Sequence, residues 1–280
     1  MKIAILNDIH IGSSLERNGK IRAPAHEPED FLPKILQDII QQHSPKLFIN
    51  LGDLIHSKDF EADTGRYKKA IRCFKQTHLP TIHVVGNHEL KTMSLSDIEK
   101  IWKEEKTSQK SYGVHDIEGI RIVWIGLEID PSNPKHCRLP SEQLNWLNQT
   151  LTESASPTLL LSHCAIDDQV VDGNYFYEQY LPRSRTGFFL TNQQDILKVI
   201  SKSGCVFAVI QAHLHYFHTK IIDQTYYVTC PSMRDNICSP AVQEHMPEIY
   251  TILSFDSPTL SIKSYSREYC FAGTELNFRK

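Results

Sequence analysis

MKIAILNDIH, residues 1–10, sets the reading of the whole chain. An apolar run, Ile3 to Leu6, ends at Asn7 and delivers a carboxylate at Asp8 and an imidazole at His10. A short, near-continuous apolar run suits a strand buried on both faces. Residues i and i+2 of an extended segment point to one side, so Asp8 and His10 could reach one cation. Alone, D-x-H is a weak signal. The arrangement recurs, however. LFIN (47–50) leads to Gly52-Asp53, and IHVV (82–85) leads to Gly86-Asn87-His88-Glu89. TLLLS (158–162) leads to His163, and VFAVIQ (206–211) leads to His213-Leu214-His215. In the second and third clusters a glycine precedes the ligand candidate, at a place where the backbone turns sharply or passes close to bound ions. His213 and His215 share a face at i and i+2, which turns Leu214 into the core.

Helical patterns separate these runs. Phe31, Ile35, Leu36, Ile39 and Ile40 recur at helical spacing within 30–43, and Tyr67, Ala70, Ile71 and Phe74 do so within 63–77. Pro140-Ser141 opens a helix over 141–151, and Thr191 is a candidate cap for one over 191–202. Strand–helix alternation implies an α/β arrangement with parallel pairing. IRIVWIGL (120–127) is a further strand. The last third reads differently: 217–222, 225–229, 248–255 and 259–266 resemble strands with short links such as Asp223-Gln224, which predicts hairpins in a second sheet. The expectation is two packed sheets with helices outside, in one domain over 1–280. Segment 230–280 is expected to complete the second sheet, or to form a cap or a dimer surface.

Bulk properties narrow the function. The 280 residues are 40% hydrophobic, enough for a sizeable core, and the formal net charge is -3 with both signs mixed. No basic tract points to nucleic acid or to an anionic membrane. No apolar run approaches the roughly 20 residues of a membrane span. The seven cysteines are odd in number, widely spaced and without a CxxC pair, which argues against a disulfide framework and a thiolate zinc site. The expected setting is a reducing, cytoplasmic one.

The order of the five clusters weighs more than any member, since ligand sites in open α/β sheets form at the carboxyl ends of strands. Oxygen and nitrogen donors without thiolate suit Mn, Fe or Zn. A carboxylate has two oxygens, so Asp53 can bridge two ions, about 3.5–4 Å apart as in two-metal hydrolases. The series D-x-H, GD, GNHE, a single His and HxH, running from residue 8 to 215, resembles the calcineurin-like metallophosphoesterase superfamily. It is most similar to bacterial phosphodiesterases of the class III cyclic-nucleotide type. The stretches Asp167-Asp168-Gln169 and Phe188-Phe189-Leu190-Thr191-Asn192 carry a weaker likeness to that branch.

The resemblance implies a four-layer αββα sandwich of two mixed β-sheets flanked by helices. It implies that Asp8, His10 and His215 hold one metal, that Asn87, His163 and His213 hold the other, and that Asp53 bridges them. His88 would be catalytic, facing the phosphate and protonating the leaving oxygen. One departure stands out: Ala212 precedes HxH where the family has glycine. The implied function is hydrolysis of a phosphodiester, a cyclic nucleotide or a similar small molecule, by attack of a metal-bound hydroxide. A phosphomonoester or an ADP-ribose-type diphosphate is the alternative on the same core, and a catalytically silent protein-binding scaffold is the second. His56, Arg183 and Arg185 are candidates for holding the substrate, Arg17, Arg22 and Arg234 are weaker ones, and Tyr175, Phe176, Tyr177 and Tyr180 could flank a base. Partners are thus a small phosphate ester and no membrane, with a homodimer left open.

Overall fold

The computed structural model describes residues 1–17, 20–23, 25–107, 109–169, 171, 189–234, 248–267 and 269–278. The chain begins with β1 (Lys2–Leu6), a small hairpin of β2 (Leu15–Arg17) and β3 (Lys20–Ala23), and helix α1 (Pro28–His43). β4 (Leu47–Asn50), α2 (Phe60–Gln76), β5 (Thr81–His83) and α3 (Leu95–Glu104) follow. Next come β6 (Gly113–Ile117), β7 (Ile120–Trp124), the short pair β8 (Glu128–Ile129) and β9 (Cys137–Arg138), α4 (Ser141–Thr152) and β10 (Thr158–Leu161). Beyond residue 188 lie α5 (Gln193–Ser203), β11 (Val206–Gln211), β12 (His218–Ile222), β13 (Thr225–Thr229), β14 (Ile249–Asp256), β15 (Thr259–Ser266) and β16 (Tyr269–Asn277).

Two six-stranded sheets result, one ordered β16-β15-β14-β1-β4-β5 and the other β12-β13-β11-β10-β7-β6. The period-2 alternation of each strand explains why they stack. Ile3 and Ile5 of β1 pack with Ile122, Leu159, Leu161 and Ile210 between the sheets, whereas Ala4 and Leu6 face α1, α2 and α3 through Leu36, Ile71 and Trp102. In the other sheet Val123, Leu160 and Val209 turn outward to Leu147 of α4 and Ile196 of α5. The layers are therefore helix, sheet, sheet, helix, which is the expected αββα sandwich. Continuous apolar runs were needed because both faces of each central strand are covered.

Two local readings change. The C-terminal strands extend the sheet of β1 rather than the second sheet: β14 pairs antiparallel with β1 (Ile3 opposite Leu253), and β15 and β16 follow outward. β1 is parallel to β4 on one side only, so its other edge is open to a late strand. The hairpin expected at Asp223-Gln224 does lie in the second sheet, between β12 and β13. Both turn residues have positive φ, 46° and 67°, as a tight two-residue hairpin turn requires. Thr191 does not cap α5; its hydroxyl donates to Asp130 Oδ2 at 2.6 Å and Asn192 takes the cap position. Among the described residues no helix is long and apolar enough to cross a membrane.

Candidate metal centre

Asp8 and His10 lie on the loop leaving β1, Asp53 on the loop leaving β4, and Asn87 and His88 on the turn beyond β5. His163 follows β10, and His213 and His215 follow β11. Because β1, β4 and β5 run parallel, as do β10 and β11, each sheet presents its set at the carboxyl ends of its strands. The first two loops run side by side: Asp8 N donates to Gly52 O at 3.0 Å, His10 N to Asp53 O at 3.0 Å and His56 N to Ile11 O at 2.8 Å.

The backbone here is not the extended strand end expected from the i, i+2 spacing. Asp8, His10, Asp53, His213 and His215 all have left-handed φ, at 48°, 48°, 51°, 68° and 62°. Non-glycine residues in that region cost on the order of 1–3 kcal/mol each and cluster where function demands them. Ala212 is fully buried and the turn after it forms, with Leu214 N donating to Ala212 O at 2.7 Å. Leu214 enters the core beside Ala165 and Tyr216 as expected.

The donor atoms converge at spacings that an ion explains. His10 Nε2 and His215 Nε2 are 3.1 Å apart, and His215 Nε2 is 3.2 Å from Asp8 Oδ1. His163 Nε2 stands 3.1 Å from Asn87 Oδ1 and 3.3 Å from Asp53 Oδ1. Atoms each held about 2.1 Å from one ion sit roughly 3.0–3.4 Å from one another. His163 also meets the Leu51 carbonyl through Nδ1 at 2.9 Å. A proton on Nδ1 makes that a donated bond and points Nε2 at two oxygens, where a second ring proton or a bound cation satisfies them. Asp53 serves both groups. Oδ1 faces His163 and accepts His88 N at 2.8 Å, while Oδ2 lies 3.8 Å from His10 Nε2 and 4.0 Å from His88 Nε2. Asp8 divides likewise, with Oδ2 accepting Asn7 Nδ2 at 2.6 Å and His213 N at 3.2 Å, and Oδ1 turned to the histidines. These residues fit a pair of metal ions bound by nitrogen and oxygen.

Two glycines make the convergence sterically feasible. A Cβ on Gly86 would lie 2.3 Å from Asp53 N and Oδ1, and one on Gly52, whose φ is +99°, would lie 2.5 Å from His163 Nδ1. The charges are consistent with the packing. Burial pushes the Asp53 carboxyl up, but the neighbouring His163 and His88 overcome it and hold the group well below the usual carboxylate range. Burial would lower His163, yet Asp53 beside it raises it to about 10. Burial, reinforced by His88, holds His10 well below the usual imidazole range, and burial lowers His88 to about 3 against the opposing pull of Asp53.

Of the expected substrate contacts, His56 is brought in: its ring centroid is 5.1 Å from that of His88 and 5.8 Å from that of His10. Arg183, Arg185, Tyr175, Phe176, Tyr177 and Tyr180 lie outside the described residues, and nothing is described of the side chains of Arg17 and Arg22. Arg234, a weaker candidate for holding the substrate, is completely buried. Its guanidinium donates to the carbonyl of His10 and, at 2.8 Å, to that of Ser13, tying the segment after β13 to the loop after β1.

Three further neighbours complete the centre, and of these Lys91 was not read from the sequence. Glu89 accepts Asp53 N at 3.1 Å, Ile55 N at 3.1 Å and Gly86 N at 2.8 Å, so it fastens the second and third clusters together. Lys91 Nζ lies 3.1 Å from His88 Nε2, and a lysine three residues past GNH was the signal for it. Cys164 Sγ falls within 4.8 Å of ring nitrogens of His163 and His213. A hydrogen bond with Cys137 and burial push its thiol well up.

The model of the calcineurin-like phosphoesterase family matches residues 1–217. A probable cyclic nucleotide phosphodiesterase from Synechococcus sp. is 27% identical over 212 residues, 75% of this chain and 71% of that protein. A dimetal phosphatase from Danio rerio has the same fold, with a TM-score of 0.72 at 12% identity over 99% of both chains. A purple acid phosphatase from seeds of yellow lupin, Lupinus luteus, gives 0.64 at 16% identity over 99% of this chain and 53% of that one.

Proposed function

Since the chain belongs to the calcineurin-like phosphoesterase family and is a metal-dependent phosphoester hydrolase, we propose that it cleaves a small phosphodiester of the cyclic-nucleotide kind at a dinuclear centre built around Asp53. Asp8, His10 and His215 would hold one ion, Asn87, His163 and His213 would hold the other, and Asp53 would be shared by both. The observation that carries this reading is the carboxylate of Asp53, whose two oxygens face separate sets of histidines, His163 on one side and His10 and His88 on the other. The diester preference is supported by the Synechococcus relative, a probable cyclic nucleotide phosphodiesterase. The nitrogen and oxygen donors favour Mn or Fe, with Zn as the alternative. The buried free thiols of Cys73, Cys137, Cys164 and Cys230 support a reducing, cytoplasmic setting.

Bound ions supply charge that activates water and offsets the negative phosphoryl oxygens. The chain's own residues do the rest. The Leu51 carbonyl fixes the ring of His163, and Glu89 holds the Asp53 and Gly86 backbones at fixed separation. His88 is held by its own backbone N–H on Asp53 Oδ1, with Ser57 Oγ 3.4 Å from its Nδ1. Burial keeps it neutral until a phosphate ester arrives, and that ligand's negative charge favours proton uptake on the ring. His88 then gives the proton to the departing ester oxygen.

A second reading, a phosphomonoester or diphosphate substrate, is favoured by Lys91, whose ammonium beside His88 adds a positive charge suited to a dianionic phosphate. A panel of bis-p-nitrophenyl phosphate, p-nitrophenyl phosphate, 3′,5′-cyclic AMP and ADP-ribose, assayed with Mn²⁺ and with metal content measured by plasma mass spectrometry, separates the readings. The proposal expects about two ions per chain and faster turnover of diesters. A chain that retains no metal and cleaves none of the four overturns it.

A further inference from the structure

We propose a second ligand site, distinct from the metal centre, that takes an organic phosphate with an aromatic or apolar body, a nucleoside phosphate being the fitting class. A groove of about 770 Å³ opens where the edge strand β5 of one sheet meets the edge strand β6 of the other. That volume is of small-molecule size. Its ionisable lining is one-sided: Lys75, His78, Lys106, Lys110 and His115 ring it, and among the described residues lining it none is acidic. In a chain of net charge -3 such a lining is not the average surface.

The nearby carboxylates are engaged elsewhere. Glu105 takes the forked guanidinium of Arg72 at 2.8–3.1 Å, Asp116 takes Arg121 at 2.9 and 3.1 Å, and Glu99 accepts Ser111 N at 2.9 Å. The Lys75 ammonium is anchored at the rim on the Glu105 carbonyl at 2.8 Å. The ammonium groups of Lys106 and Lys110 make no hydrogen bond or ion pair among the described residues. Cations held together without counter-charge repel one another, and an anion relieves that repulsion.

The floor and walls are apolar, with Leu79, Pro80, Ile82, Val114 and Trp124. The wall is rigid: Trp124 Nε1 donates to Lys110 O at 3.1 Å, and its ring fills the space a Cβ on Gly113 would need, at 2.6 Å. A strip of apolar surface flanked by cations matches a ligand with a flat body and a polyanionic end. An added peptide strand fits less well on the β5 side. The Gln109 side chain already closes that edge by accepting His83 N at 2.8 Å and donating to His83 O. None of the metal-centre residues lines the groove.

Photolabelling with 8-azidoadenosine triphosphate followed by peptic peptide mapping, whose cleavages do not depend on Lys106 or Lys110, tests the site. The expected result is label in segment 111–121, reduced at least tenfold in the double variant Lys106→Glu/Lys110→Glu. Both lysines are exposed, so that variant should keep the wild-type melting temperature and hydrolyse bis-p-nitrophenyl phosphate at the wild-type rate. Label confined to the segments of the metal centre, or labelling of 111–121 unaltered by the charge reversal, overturns the proposal. The label's position is read independently of turnover, so failure here and failure of the phosphodiesterase reading are distinguishable.

Discussion

At the scale of single residues, the centre is set by groups that never touch an ion. Gly86 leaves no room for a methyl group, since Asp53 N and Oδ1 both lie 2.3 Å from where it would go. Gly86→Ala should therefore cost about 1–3 kcal/mol and push Asp53 away from His163. Urea unfolding and metal content measure the two effects, and full metal occupancy in that variant would count against the tight packing of the two turns. His88→Ala should leave metal content intact while turnover drops about 10²–10⁴-fold, the range of a lost general acid. Wild-type turnover in that variant would remove His88 from the mechanism. His83 offers a pH prediction away from the ions. It is buried under Phe74 and Trp102, and burial lowers it to about 3. Between pH 6.5 and about 3 the unfolded chain binds a proton there that the folded chain does not. Its share of stability is thus complete above pH 6.5 and falls as pH drops, by up to about 1.4 kcal/mol per pH unit. His83→Asn should flatten the urea midpoint between pH 7 and 5.5 relative to wild type, and equal slopes would show that the residue contributes nothing.

At the scale of elements, what could be read in advance depended on how much of an element's environment its own sequence encodes. The central strands were legible because both their faces are apolar, and α1, α2, α4 and α5 were legible from helical spacing. α3 was missed, although Ser94 and Asp97 form a reciprocal cap and Ile98, Ile101 and Trp102 share its buried face. β6 and β16 were missed because they are edge strands with largely exposed or half-buried residues, and little apolar pattern remains. Which sheet β14 joins was not encoded in β14 at all, since an antiparallel partner is chosen by the open edge of β1. The candidate ligands were legible from their order after strands. Glu89 and Arg234 act through contacts to distant loops, and no spacing announces those. The hairpin between β12 and β13 yields an element-scale prediction. Gln224 holds φ 67° without being glycine. Gln224→Gly should stabilise the turn by about 0.5–1 kcal/mol and raise the melting temperature by about 2 °C. A lowered melting temperature would mean that the side chain contributes more than the strain costs.

For the whole molecule, the two sheets are pressed together by an apolar interior, yet at one end they bring buried carboxylates and imidazoles within 3.1–3.3 Å on left-handed backbone. Ions held there bind only the folded arrangement of these loops, so stability and ion binding are linked. A ligand that binds only the folded chain stabilises it by about 4 kcal/mol at 1,000 times its dissociation constant. For a chain of this size that amounts to roughly 8 °C or more in melting temperature. Protein loaded with Mn²⁺ should therefore melt well above the same protein stripped with chelator, and adding the ion back should restore the difference. Asp53→Asn removes the group that both ion sites share, so its melting temperature should respond little to either treatment. If wild type melts at one temperature with and without the metal, the buried charges are balanced within the protein itself, and the coupling between folding and ion binding does not exist.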